Sequence, residues 1–240
     1  MKSEIIPITD LKDMLYKTGE RYGNRSAYKI RVEEGVYKTI THAEFRDMVN
    51  YLGTALIDMG NVCFKLLDYE TALELYKKVF VLNPDNKIVA ICIGNTYALM
   101  KDRENAYSYF EKALTMEGDN YKAYICYAIA LSEFKEYDMA IEMYKKAIKN
   151  YEDETEAQVL LANLYTNFNE LDLAMDLYKS VLHKKPNNAE TYMLLGNAHY
   201  LKGEIEQAIG AYKSAINIVP ENDEYKLIYM QVVSEYADMK

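Results

Sequence analysis

The chain has 240 residues, half of them apolar and 27% charged, and carries a net charge of −9. That length holds one large domain or two small ones, each with a real core. Residues 1–52 hold nine basic against eight acidic side chains and residues 53–240 hold 19 against 29, which excludes phosphate-backbone recognition by clustered Lys and Arg and removes nucleic acid from the expected partners.

The start, MKSEIIPITD, has neither the apolar core nor the small-residue cleavage site of a signal peptide. No apolar run approaches the roughly 18 residues of a membrane span, so no membrane partner is expected. Cys63, Cys92 and Cys126 are odd in number and form no CxxC pair. They read as reduced structural thiols of a cytoplasmic protein, and neither cofactor nor metal is expected.

In chain order, TDLKDMLYKTGERYG (9–23) has the pattern of an amphipathic helix with Thr9 as N-cap. SAYKIRVEEGVYKTIT (26–41) alternates around EEG, a hairpin signal. THAEFRDMVNYLGTALIDMG (41–60) begins a helix, with Thr41 and Glu44 spaced as a capping box. This order of helix, hairpin, TITHAEF and helix resembles the N-terminal start of the AMP-binding acyl-CoA synthetases of the adenylate-forming family. The resemblance covers residues 1–60 only. That family's Ser/Thr/Gly-rich phosphate loop, acidic ribose motif and lysine-bearing C-terminal domain have no counterpart here, so no functional residue carries over and no adenylation is expected. One helix from about residue 42 to 66 is expected to be shared between this fragment and the remainder of the chain.

From residue 53 a 34-residue period governs the chain. Ala72, Ala106, Ala140, Ala174 and Ala208 recur at that interval. Four residues after each stands an aromatic: Tyr76, Phe110, Tyr144, Tyr178 and Tyr212. Twelve residues before each stands a small residue: Gly60, Gly94, Ala128, Ala162 and Gly196. Pro84, Pro186 and Pro220 stop three of the units. Small residues on facing helices allow close approach, and the aromatic fills the remaining gap. This spacing resembles the tetratricopeptide repeat, most closely in LLGNAHYLKGEIEQAIGAYKSAINIVP (194–220).

The predicted fold class is an all-α tetratricopeptide solenoid. It comprises five helix-turn-helix repeats (53–86, 87–120, 121–154, 155–188 and 189–222), a capping helix in 223–240, and an N-terminal appendage of a short helix and β-hairpin in 1–52. In the cap, Tyr225, Ile228, Tyr229, Val232, Val233 and Tyr236 form one stripe.

In the tetratricopeptide family the first helices line a concave groove, faced by their fifth and ninth positions. The resemblance therefore implies a peptide-binding groove of Ile57, Asn61, Ile91, Asn95, Ile125, Val159, Asn163, Met193 and Asn197, with Ile129 departing from the Asn row. An Asn amide both donates and accepts, so spaced Asn side chains suit the backbone of an extended peptide; the competing reading gives them a local helix-end role. Asp58, Cys92, Cys126, Leu160 and Leu194 occupy the sixth positions, where clamps for chaperone C-terminal carboxylates carry Asn or Arg, and Lys122 is isolated. A chaperone tail is a poor fit. His199 falls in a packing slot.

The expected function is a non-catalytic interaction scaffold holding a peptide or helix of a protein partner. The alternatives are an accessory or remnant of acyl-CoA metabolism acting through residues 1–60, and a self-associating module. No catalytic residue is expected.

Overall fold

A computed structural model describes residues 24, 26–33 and 36–238. The amphipathic helix expected over 9–23 lies outside the described residues. Among them are a two-stranded hairpin and eleven helices. β1 (Ser26–Glu33) pairs antiparallel with β2 (Val36–Thr41), and the register sets Ser26 opposite Thr41. Both strands pack against α1 (His42–Lys65).

α1 runs unbroken through Gly53 and Gly60. Thr41 caps it: the Glu44 amide donates to Thr41 Oγ1 at 3.1 Å, and the Thr41 amide donates to Glu44 Oε2 at 2.8 Å. This is the reciprocal capping box that the spacing predicts.

The remaining helices are α2 (Tyr69–Leu82), α3 (Lys87–Leu99), α4 (Arg103–Thr115), α5 (Tyr121–Glu133), α6 (Tyr137–Asn150), α7 (Glu156–Asn167), α8 (Leu171–Lys184), α9 (Ala189–Leu201), α10 (Ile205–Ile218) and α11 (Asp223–Asp238). Short polar side chains start several of them. Asp68, Asn86, Asp102 and Asn188 each accept a hydrogen bond from the backbone amide three residues on.

The turn between the paired helices is the same five times. Leu67, Lys101, Lys135, Asn169 and Gly203 sit in the left-handed region, with φ between 61° and 80°. The next residue's amide then reaches back five residues, as in Asp68 to Cys63, Asp102 to Tyr97 and Glu204 to His199. This is the Schellman arrangement, which satisfies carbonyls the helix end leaves open.

Contacts divide the chain into two compact units, Met1–Cys126 and Tyr127–Lys240. In the first, α1 packs on α2, α2 on α3, and α3 on α4. In the second, α6, α7, α8, α9, α10 and α11 pack in succession. All five of the 34-spaced alanines, Ala72, Ala106, Ala140, Ala174 and Ala208, are fully buried.

The small residue and the aromatic meet as the sequence predicts. A Cβ placed on Gly60, Gly94 or Gly196 would lie 2.6, 2.9 or 2.5 Å from the ring of Tyr76, Phe110 or Tyr212. α11 closes the second unit by laying Tyr225, Ile228, Tyr229 and Val232 against a core that includes Met193 and Tyr212.

Candidate functional site

The ninth positions of the first helices are governed by a second period, between helices. Tyr76 donates to Asn61 Oδ1 at 2.8 Å, Tyr178 to Asn163 Oδ1 at 2.6 Å and Tyr212 to Asn197 Oδ1 at 2.8 Å. In each case the tyrosine lies 15 residues beyond its asparagine. Burial pushes the Tyr76 phenol up to about 12, with the Cys92 and Cys63 thiols adding to the shift. Burial pushes Tyr212 up to about 12 as well, aided by Tyr200, and raises Tyr178 against a small opposing effect of Thr166. These phenols therefore stay protonated as donors across the neutral range. That fixes each amide with Oδ1 turned inward and only Nδ2 left to donate.

Asn95 is different. Its counterpart 15 residues on is Phe110, which has no hydroxyl. The Asn95 side chain is half-buried and has no hydrogen-bond partner among the described residues. Both its donor and its acceptor are open. Ile88, Ile91 and Leu99 stand at −7, −4 and +4 on the same face of α3; Ile88 and Leu99 are exposed and Ile91 is half-buried. One helix thus presents an apolar row with an unclaimed amide in its midst.

Beside the N-terminal end of α3, a cleft of about 180 Å³ is lined by Arg46, Asn50, Ile57, Val79, Asn83 and Asn86, among others. Asn86 is committed to capping α3. The Oδ1 of Asn83 is buried with no hydrogen-bond partner. The wall of the cleft is aliphatic at Ile57 and Val79.

The fifth positions divide. Ile57, Ile91 and Val159 are half-buried. Ile125 and Met193, expected to face a groove, are only 4% and 5% exposed and belong to the core. Met193 is covered because α11 and Tyr212 close over it. In the second unit this leaves Val159, with Asn163 and Asn197 both held by their tyrosines.

His199, expected as a packing residue, is buried, and its Nδ1 lies 2.6 Å from Glu204 Oε2. Lys202 bridges Asp172 and Glu204 at 2.6 and 3.0 Å. Lys202 and then His199 hold the Glu204 carboxyl below its ordinary range, and this corner ties adjacent repeats together. Cys63, Cys92 and Cys126 form no disulfide. Burial, then the neighbouring Cys126, pushes Cys92 up to about 11, so it is a poor nucleophile at neutral pH.

Sequence reasoning missed a second concavity, within the second unit. A largely apolar cleft of about 470 Å³ is lined by Ile148, Leu161, Tyr165, Leu173 and Leu177. The signal lay in Leu173, a large apolar residue at a non-core repeat position that remains 48% exposed.

Repeated helix pairs with a small-residue seam and a Schellman turn define a helical repeat array that offers side chains along its first helices. The tetratricopeptide repeat model matches residues 97–164 and 168–229, together more than half of the chain. The chain belongs to the tetratricopeptide repeat family, and its fold class is that family's all-α solenoid.

Among solved structures, it is similar to a MamA protein, with TM-score 0.57 and 24% identity over 73% of this chain and 96% of that one. It is similar to YrrB, described as a TPR protein with an unusual peptide-binding site, with TM-score 0.53 and 23% identity over 72% and 89%. It is also similar to PilF of Pseudomonas aeruginosa, with TM-score 0.64 and 16% identity over 80% and 87%. At these identities the likeness is one of fold. No curated protein matches the chain. No helix among the described residues is long and apolar enough to cross a membrane.

Proposed function

We propose that this chain is a non-catalytic interaction scaffold that holds an extended peptide of a protein partner along α3 and the cleft beside it. The observation that carries the reading is the Asn95 amide, left open because Phe110 stands where other repeats have tyrosine. An open amide pairs with one N–H and one C=O of a peptide backbone. Ile88, Ile91 and Leu99 receive alternate side chains, and the cleft at Ile57 takes one aliphatic side chain. YrrB, of the same fold, is described with a peptide-binding site, which favours the reading.

The partner is a protein rather than nucleic acid or membrane, as the acidic charge favours. The scaffold works in the cytoplasm, where three cysteines outside any disulfide are at home. Residues 1–60 carry none of the catalytic motifs of the acyl-CoA synthetases, and the family model matches only the tetratricopeptide repeats.

The test is a selection of peptides from a display library on the full chain, followed by fluorescence anisotropy of a selected peptide. Losing two backbone hydrogen bonds at about 0.5–1.5 kcal/mol each weakens binding by roughly tenfold in Asn95→Ala. Equal affinity for wild type and Asn95→Ala, with both proteins folded by circular dichroism, refutes the reading.

A further inference from the structure

Two departures from the repeat pattern fall on one surface of the second unit. Leu173 of α8 stands where the other repeats carry Thr71, Asn105, Met139 and Gln207, and it is 48% exposed. Lys145 and Lys149 of α6 stand one turn apart, whereas the same two positions hold Lys77 with Val81, Glu111 with Thr115, Lys179 with His183 and Lys213 with Asn217. Both lysines are exposed and have no acidic partner among the described residues, while Lys146 between them pairs with Glu142 at 2.7 Å. Leu173, Lys145 and Lys149 all line the apolar cleft of about 470 Å³, whose floor is Leu161 of α7 at 2% exposure. A neighbouring cleft of about 650 Å³ shares Tyr165 and Leu173 with it, so the two run on as one groove between α6 and α8. At its far end the rings of Tyr137 and Phe168 meet edge-on, with centroids 4.7 Å apart. From residue 137 to residue 149 the α6 wall is about 18 Å long, or roughly three helical turns.

We propose that this groove docks an amphipathic helix of a partner protein, running antiparallel to α6 and α8, with Asp or Glu in its first turn and Lys or Arg in its last. The aliphatic stripe of such a helix, at i, i+3, i+4 and i+7, enters the apolar groove. Charge selects the occupant and its direction. Residue numbers rise the same way along both walls, from Tyr137 and Glu170 at one end to Lys149 and Leu177 at the other, so α6 and α8 run parallel. At their C-terminal side Lys145 and Lys149 stand against Asp176, a net charge of +1. At the opposite end Asp138 and Glu170 stand against Lys135, a net charge of −1. Acidic residues in the first turn and basic residues in the last are what a helix's own dipole favours. A helix charged in that way matches both ends only when it lies antiparallel to the walls, and its dipole then opposes both of theirs. A second copy of the chain, at −9, is repelled instead.

The test is a phage-displayed helix library, randomised on one face, selected on the full chain and subtracted on Leu173→Asp. Leu173 lies outside the core and Asp suits the first turn of α8, so this variant folds, as circular dichroism checks. The recovered helices are expected to carry an aliphatic stripe, an acidic first turn and a basic last turn. In fluorescence anisotropy such a helix, made as a labelled peptide, should bind Leu173→Asp at least about tenfold more weakly than wild type. It should bind Lys145→Glu/Lys149→Glu roughly tenfold more weakly, and the same peptide with its first and last turns exchanged should bind that variant more tightly than the original does. Asn95→Ala should bind it as wild type does, which separates this groove from the α3 site. If no recovered helix distinguishes wild type from Leu173→Asp, or if binding ignores Lys145→Glu/Lys149→Glu, the proposal is overturned. A mass in light scattering that doubles with concentration and returns to the monomer in Leu173→Asp overturns it too, assigning the groove to a second copy.

Discussion

Two glycine-to-alanine changes in one repeat are expected to act with opposite sign. Gly210 lies inside α10 with no atom within 4 Å of where its Cβ would be. Gly210→Ala therefore gains the helix-propensity difference of roughly 0.5–1 kcal/mol. Gly196 lies inside α9, where the same Cβ would stand 2.5 and 2.6 Å from Tyr212 Cε1 and Cδ1. Ordinary contact needs about 3.5–4 Å, so the ring must retreat by roughly an ångström. Tyr212 is 1% exposed and its hydroxyl is held by Asn197, so the retreat also strains that hydrogen bond. Overpacking at about 1–3 kcal/mol outweighs the propensity gain, leaving Gly196→Ala about 1–2 kcal/mol less stable. Repeats three and four hold alanine at this position against Tyr144 and Tyr178, which keeps the expected loss at the lower end. Urea unfolding followed by circular dichroism measures both. If Gly196→Ala stabilises the chain as much as Gly210→Ala, the close helix approach is not what selects glycine here.

Phe110→Tyr places a hydroxyl 15 residues beyond Asn95, as in three other repeats; denaturant unfolding should show a gain of about 0.5–1.5 kcal/mol, and a selected peptide should bind more weakly because the amide is now claimed. Leu67→Gly relieves a left-handed leucine at φ 64° that is 70% exposed; the relief of about 1–2 kcal/mol exceeds the chain-entropy loss, and thermal melts should show a gain of roughly 0.5–1 kcal/mol. Unfolded tyrosines titrate near 10 while Tyr76 and Tyr212 are pushed up to about 12; raised phenol values stabilise fully below pH 10, so stability should fall as pH climbs from about 10 to about 12, with late-titrating tyrosines, Tyr76 and Tyr212 among them, seen in the ultraviolet.

The 34-residue period was readable because each of its marks answers to one local constraint. A buried alanine, a facing glycine or alanine and a wedged tyrosine or phenylalanine leave few alternatives, and Ala72 through Ala208 and Gly60 with Tyr76 stand where the period puts them. The turns were only half readable. Gly203 and Asn169 announce a left-handed residue, whereas Leu67 and Lys101 adopt the same φ against their own preference because the Schellman hydrogen bonds of the turn impose it.

The site was less readable for a different reason. Groove position follows from repeat position, but accessibility depends on what packs next door, and Met193 vanished under α11 while Ile125 went into the core. The fate of each Asn amide was in fact written 15 residues downstream. Asn61, Asn163 and Asn197 precede tyrosines and Asn95 precedes Phe110, a pairing between helices that reading one helix at a time does not reveal.

The measurement that tests the central claim most directly is nuclear magnetic resonance of the asparagine side-chain amides during titration with a selected peptide. The Asn95 Nδ2 signals should shift strongly, while those of Asn163 and Asn197, whose oxygens are held by Tyr178 and Tyr212, stay in place. A bound peptide that leaves Asn95 unmoved would contradict the account.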